Sequence, residues 1–183
     1  MKHPLLTTML LTSVTLCAHA EVTLFGQNLK TVTRPQMRTA LKAESVTPTR
    51  EDSNYWVDQY DAKGLLKEAT GLDIGYRDSD SRLAYAKYTF ESFMDTEQVV
   101  RVAKLVSSRY GRPTAQRGNA GLGEVSYVWR NDGIEIEVSR GWPSTTTTLT
   151  YSNPPVNRGM EAEIARQRRL NEQAEAGHQK GRF

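Results

Sequence analysis

The chain has 183 residues, with 24 Lys+Arg against 21 Asp+Glu, one Cys and three His. Charged residues make up 25% and hydrophobic ones 38%, the balance of a soluble globular domain and not of a disordered or collagen-like chain. One Cys excludes an intrachain disulfide framework, and so few Cys and His leave no ordinary zinc site.

Residues 1–20 read MKHPLLTTMLLTSVTLCAHA. Lys2 is a short basic start, Leu5 to Leu16 is an uncharged apolar run, and Ala18-His19-Ala20 supplies small residues at −3 and −1. This pattern predicts a signal peptide over 1–20, cleaved between Ala20 and Glu21; it is too short for a membrane span. A lipoprotein anchored at Cys17 is the rival, but Leu16 stands where a small residue is wanted. The expected location is the periplasm, or the medium after full secretion. Cleavage would remove Cys17, His3 and His19 and leave His178. A thiol-free chain suits an oxidising compartment. Residues 21–155 carry 17 basic and 17 acidic side chains, and 156–183 carry six and four. No basic domain of the kind that neutralises phosphate backbones is present, which argues against nucleic acid as a partner.

In chain order, Val22 to Phe25 predicts a short strand ended by Gly26. Thr33-Arg34-Pro35-Gln36 opens a helix over Arg34 to Glu44, with Thr33 as cap and Met37, Ala40 and Leu41 as its apolar stripe. Thr47 to Asn54 reads as a polar loop. Strands are expected at Tyr55–Asp61, Leu72–Tyr76 and Leu83–Phe90, with an insert around Lys63 to Thr70 and a turn at Asp78–Ser81. Asp95 caps a second helix whose face is Val99, Val102, Ala103, Val106 and Tyr110, stopped by Gly111. Gly118 to Gly123 reads as a loop. Three strands follow at Val125–Arg130, Ile134–Arg140 and Thr145–Ser152, turning at Asn131-Asp132-Gly133 and Gly141-Trp142-Pro143. Their alternation puts apolar residues on one face and Glu135, Glu137, Ser139, Thr148 and Thr150 on the other.

The expected fold class is therefore α+β: antiparallel sheet packed against two helices. It reads as a duplicated helix-plus-three-strands module, 33–92 and 95–153, within a single domain over 21–155. Pro154-Pro155 closes that domain, and 156–183 is a polar helical or disordered tail whose apolar residues, Met160, Ile164 and Leu170, are sparse.

Catalytic patterns are scarce. Without Cys or His in the folded part, Ser-His-Asp and Cys-His arrangements are absent, and no Ser-x-x-Lys occurs after residue 20. Asp78-x-Asp80 opens like a calcium loop, but Leu83 and Thr89 stand where the glycine and bidentate Glu belong. Gly118 to Gly123 precedes a strand, not the helix that a phosphate loop needs. No metal or cofactor is expected. One enzyme route remains, a carboxylate pair for glycan hydrolysis. Asp58, on a strand with Trp56 and Tyr60, is its acid, and Glu91, Asp61 or Glu124 its partner; the alternative is an Asp58 paired with an arginine.

Binding is better supported. Arg140-Gly141-Trp142-Pro143 puts Trp and Arg, the residues that most often anchor interfaces, at a hairpin tip. Tyr151, Trp56 and Tyr60 extend that candidate patch; the alternative is a Trp142 that closes the core. The expected function is an exported, non-catalytic module that holds a protein partner or envelope component through a sheet face or the cleft between repeats. The alternatives are a carboxylate hydrolase of envelope glycans and a glycan-binding domain.

Overall fold

Period-two alternation through the middle and end of the chain builds one eight-stranded antiparallel sheet. The computed structural model describes residues 21–91, 95–121, 123–141, 143 and 146–180. A small hairpin, β1 (Thr23–Leu24) and β2 (Gln27–Asn28), comes first. Helix α1 (Arg34–Ala43) precedes β3 (Pro48–Arg50), β4 (Val57–Asp61), β5 (Ala69–Tyr76) and β6 (Leu83–Phe90). Helix α2 (Gln98–Tyr110) precedes β7 (Ala115–Gly118), β8 (Val125–Asn131), β9 (Ile134–Arg140) and β10 (Thr147–Ser152). Helix α3 (Pro154–Lys180) ends the described chain. The sheet order is β3-β4-β5-β6-β10-β9-β8-β7.

A helix followed by an antiparallel meander thus occurs twice, and the halves meet where β6 pairs with β10. Each meander has four strands, not the expected three. The additional strands, β3 and β7, lie at the two sheet edges and fall where loops were expected or no element was read. They are short, and Pro48 and Arg117 break any apolar alternation. Edges tolerate proline and charge because one side of the ladder is unpaired.

Both α1 and α2 cover one face. Met37 and Leu41 from α1, and Val99, Val102 and Val106 from α2, are buried on Leu72, Ile74, Tyr88, Ile136 and Leu149. The expected stripes are therefore the buried ones except at Ala40 and Tyr110, which are half-buried. At the start of α1 the Gln36 amide oxygen accepts from the Thr33 backbone N–H at 2.9 Å and from its hydroxyl at 2.8 Å. Asp95 does not cap α2 as expected. The helix starts at Gln98, with Glu97 at the cap position, and Asp95 Oδ1 accepts the Glu97 N–H at 3.0 Å one turn earlier. The first strand is also shorter than expected, because Phe25 and Gly26 both take positive φ in the turn between β1 and β2.

The largest departure is α3. Pro154-Pro155 does not close the fold; it begins a helix, since first-turn residues need no intrahelical donor. Val156 and Met160 are buried against Ala84, with Trp56, Tyr85 and Ile164 around them. The Glu163 carboxylate accepts the Asp78 and Ser79 N–H groups at 2.8 and 3.3 Å. This helix covers the other face of the sheet at its β5–β6 end, where Tyr85 lies over Gly75. From Arg166 to His178 the helix is exposed.

Candidate functional site

Asp58 meets α1 edge-on. Arg34 and Arg38 are one helical turn apart, so both guanidinium groups reach the same strand residue. Arg34 donates from Nε and Nη2 at 3.1 and 2.6 Å, and Arg38 from Nε and Nη2 at 2.8 and 2.7 Å. Asp58 has no exposed surface. Burial by itself would raise its carboxyl, but the hydrogen bonds from Arg38 and Arg34 outweigh that and hold it below the ordinary carboxylate range. Arg34 Nη2 also donates to the Asp52 and Tyr55 carbonyls at 2.9 and 2.8 Å, which ties down the loop before β4. Asp58 is a structural lock, reached by no substrate. Sequence reasoning offered an arginine partner for Asp58 as the alternative, yet left both arginines unnamed. Their four-residue spacing on the expected helix was the available signal.

The proposed acid pairings separate. Asp58 is in register with Ile74 and Ala86, whereas Glu91 follows Phe90 at the far end of β6. Five residues along a strand is roughly 16 Å. Asp61 lies three residues from Asp58 and so faces the opposite side of the sheet. Glu124 precedes β8, in the other half.

Most proposed binding anchors are buried. Tyr60 is 2% exposed and donates its hydroxyl to Glu51 Oε1 at 2.7 Å. Tyr151 is 7% exposed and belongs to the core. Arg140 is 5% exposed at the end of β9. These three were expected as surface anchors; strand alternation turns each of them to the helix-covered face instead. Trp56 lies just outside β4 and packs under α3, on a different face from Asp58 and Tyr60. Trp142 and Ala20 lie outside the described residues, while Glu21 is exposed beside buried Val22.

The uncovered face is the feature that sequence reasoning named only in outline. Cross-strand register aligns Gln59, Asp73, Lys87, Thr150, Glu137 and Val128 in one row. Gln59 donates to Asp73 at 3.2 Å, and Lys87 pairs with Asp73 at 3.1 Å. Glu135 pairs with Arg130 at 2.9 Å. Glu137, half-buried in the middle of the second half, has no ion pair among the described residues. Burial raises its carboxyl and Glu135 raises it further, against the pull of Arg117.

A second concavity, of about 330 Å³, runs between α3 and the β3–β4 corner, lined by Arg50, Tyr55, Trp56, Gln167, Arg168 and Asn171 among others. The Arg50 guanidinium lies 4.6 Å from the Tyr55 ring centre, and Tyr55 is 49% exposed. The Trp56 indole N–H is buried without an acceptor.

No protein-family model and no curated protein matches the chain. Among solved structures it is similar to YjgB, a DUF4309 family protein from Bacillus subtilis, at 14% identity and a TM-score of 0.43, over 72% of this chain and 86% of that one. Among the described residues no group of three or more His, Cys, Asp or Glu is placed to hold a metal ion, and no helix is long and apolar enough to cross a membrane.

Proposed function

We propose that the chain is an exported, non-catalytic binding module of the periplasm. Its open sheet face takes a protein partner that presents a basic side chain to Glu137. The observation that carries this reading is the unpaired, half-buried Glu137 on a face that α3 covers only at the β5–β6 end. A cation from a partner would relieve the desolvated carboxylate, and rows of Thr and Ser around it offer hydrogen bonds at low entropic cost. Export is supported by the pattern of residues 1–20, with its basic start, apolar run and small residues at −3 and −1.

Two experiments test it. The N-terminal sequence of protein recovered from a periplasmic fraction is expected to begin at Glu21; a product that keeps residues 1–20 removes the export reading. Pull-downs from envelope extract with wild type, Glu137→Arg and Thr150→Arg are expected to show a partner lost by both variants at unchanged melting temperature. Retention of the same partner by both variants sinks the sheet-face reading. Trp142→Ala belongs in the same experiment. A lower melting temperature with unchanged partners makes Trp142 a core residue and removes it as an anchor.

The groove beside α3 favours one second reading, a glycan ligand. Tyr55 and Trp56 supply ring surface, and Gln167 and Asn171 supply amides for hydroxyl groups. Isothermal titration with soluble cell-wall fragments is expected to give heat that Trp56→Ala loses. No heat with wild type ends this reading. The hydrolase alternative has no support in the geometry, because its named acid, Asp58, is sealed under two arginines.

A further inference from the structure

Arg140 ends β9 on the buried face, after Ile134, Ile136 and Val138. At 5% exposure it is one of the few charged side chains in the interior. Its situation differs from that of Arg34, which donates to one carboxylate and two carbonyls. The Arg140 Nε is sealed from solvent and has no acceptor among the described residues. No carboxylate among the described residues lies within ion-pair distance of it. A buried charge is costly unless it is paired and hydrogen-bonded, so a buried arginine with no ion pair and an unpartnered Nε among the described residues marks binding capacity that the chain does not use itself.

A second orphan lies beside it. Thr147 is the direct cross-strand neighbour of Arg140 on β10 and is fully buried, and its Oγ1 also has no partner. Next to this pair a cleft of about 300 Å³ opens at the end of β7, β8 and β9. Arg140 lines it, together with exposed Arg117 and half-buried Ser126 and Ser139. Glu124 is the one acid in the lining and pairs with neither arginine. The wall at Gly118 has no room for a side chain. Its φ is +71°, and a Cβ there would lie 2.0 Å from the Glu124 carbonyl oxygen.

We propose that this cleft binds a small oxyanion, a carboxylate or a phosphate, with the Arg140 guanidinium as its buried charge and Arg117 as its outer one. A guanidinium presents a planar fork that matches either anion through two parallel hydrogen bonds, and the serine hydroxyls can donate to the remaining oxygens. The site shares Arg117 with the surroundings of Glu137, and Arg140, which does not act on Glu137, separates the two readings. The site seeks an anion, whereas Glu137 seeks a cation, so either can fail alone.

The test is titration of the full mature chain at constant ionic strength, with sodium phosphate in one arm, sodium acetate in the other and chloride as the reference anion. Binding is read by calorimetry and by the Arg140 Nε–Hε resonance. One arm is expected to saturate with a shift of that resonance, and the arm that does so distinguishes a phosphate from a carboxylate ligand. Arg140→Lys keeps the charge but loses the fork, and is expected to weaken binding about tenfold or more. Should the Arg140 variants fail to fold, Arg117→Gln, at an exposed position, is expected to weaken it about threefold. No saturable change in either arm overturns the site, as does an affinity that Arg117→Gln and any folded Arg140 variant leave unchanged.

Discussion

Two carboxylates on this sheet have opposite electrostatic surroundings, and that difference makes them separable by pH. The Asp58 carboxyl is held below its ordinary range by two arginines. It therefore contributes stability fully above its unfolded value, about 4, and that contribution is lost as pH falls through the folded value. Removing one partner of a buried ion pair costs about 3–5 kcal/mol, so Asp58→Asn is expected to lower the unfolding free energy by that order in urea at pH 7. The variant should also lose part of the wild type's stability drop below about pH 4; an Asp58→Asn chain as stable as wild type would mean the triad is dispensable. Glu137 is the reverse case. Its carboxyl is raised by burial and by Glu135, so the stability it favours is full below its unfolded value, about 4.3, and fades as pH rises through the folded value. Glu137→Gln is accordingly expected to raise the melting temperature at pH 7 and to leave it unchanged at pH 3, measured by circular dichroism.

At the scale of elements, α3 is held at one end only. Val156, Met160 and the Glu163 contacts dock its first turns, and everything from Arg166 to His178 is exposed. Trypsin is expected to cut native protein at Arg166, Arg168 or Arg169 and to spare Arg158. Met160 is 4% exposed, and truncating such a side chain costs about 2 kcal/mol or more. Met160→Ala should therefore release the whole helix and make Arg158 cleavable. A digestion pattern identical to wild type would show that the packing does not hold the helix. Gly75 reports on the same contact from beneath. A Cβ there would lie 2.3 Å from the Tyr85 ring, so Gly75→Ala is expected to displace Tyr85 and open Arg158 to trypsin in the same way. The local sequence of α3 concealed this docking, because its apolar contacts come from Val156, Met160 and Ile164 alone among the described residues. Three such contacts in a long polar helix leave a weak stripe.

At the scale of the whole molecule, the core runs unbroken across the β6–β10 seam, from Met37 and Leu41 under the first half to Val102 and Trp129 in the second. The two meanders are therefore expected to unfold together. Far-ultraviolet ellipticity should report both halves, and fluorescence of a chain carrying Trp56→Phe and Trp142→Phe should report Trp129, whose indole donates to the Gly111 carbonyl at 2.9 Å. The two transitions should coincide, and separate midpoints would show that the halves are independent units. Much of this architecture was legible in advance. The apolar stripes of α1 and α2, the alternation of β4 to β6 and β8 to β10, and the turn at Asp132-Gly133, both with positive φ, are local signals that neighbouring residues carry. The helix-then-meander repeat followed from their order. The edge strands β3 and β7 were not legible, since an edge is defined by what pairs with it and not by its own pattern.

The candidate site divides along the same line. Composition and periodicity alone determined the class of fold, the lack of Cys after residue 20 and of any His but His178, and the sorting of Glu135, Glu137, Ser139, Thr148 and Thr150 to a polar face. Only the tertiary structure decided that Asp58 is locked by Arg34 and Arg38, that Tyr60, Tyr151 and Arg140 point inward, and that Glu137 and Arg140 have no ion pair among the described residues. The reason is physical. Secondary structure follows from contacts a few residues apart, whereas the pairing of a charge depends on residues more than twenty positions away and on which face a distant helix covers.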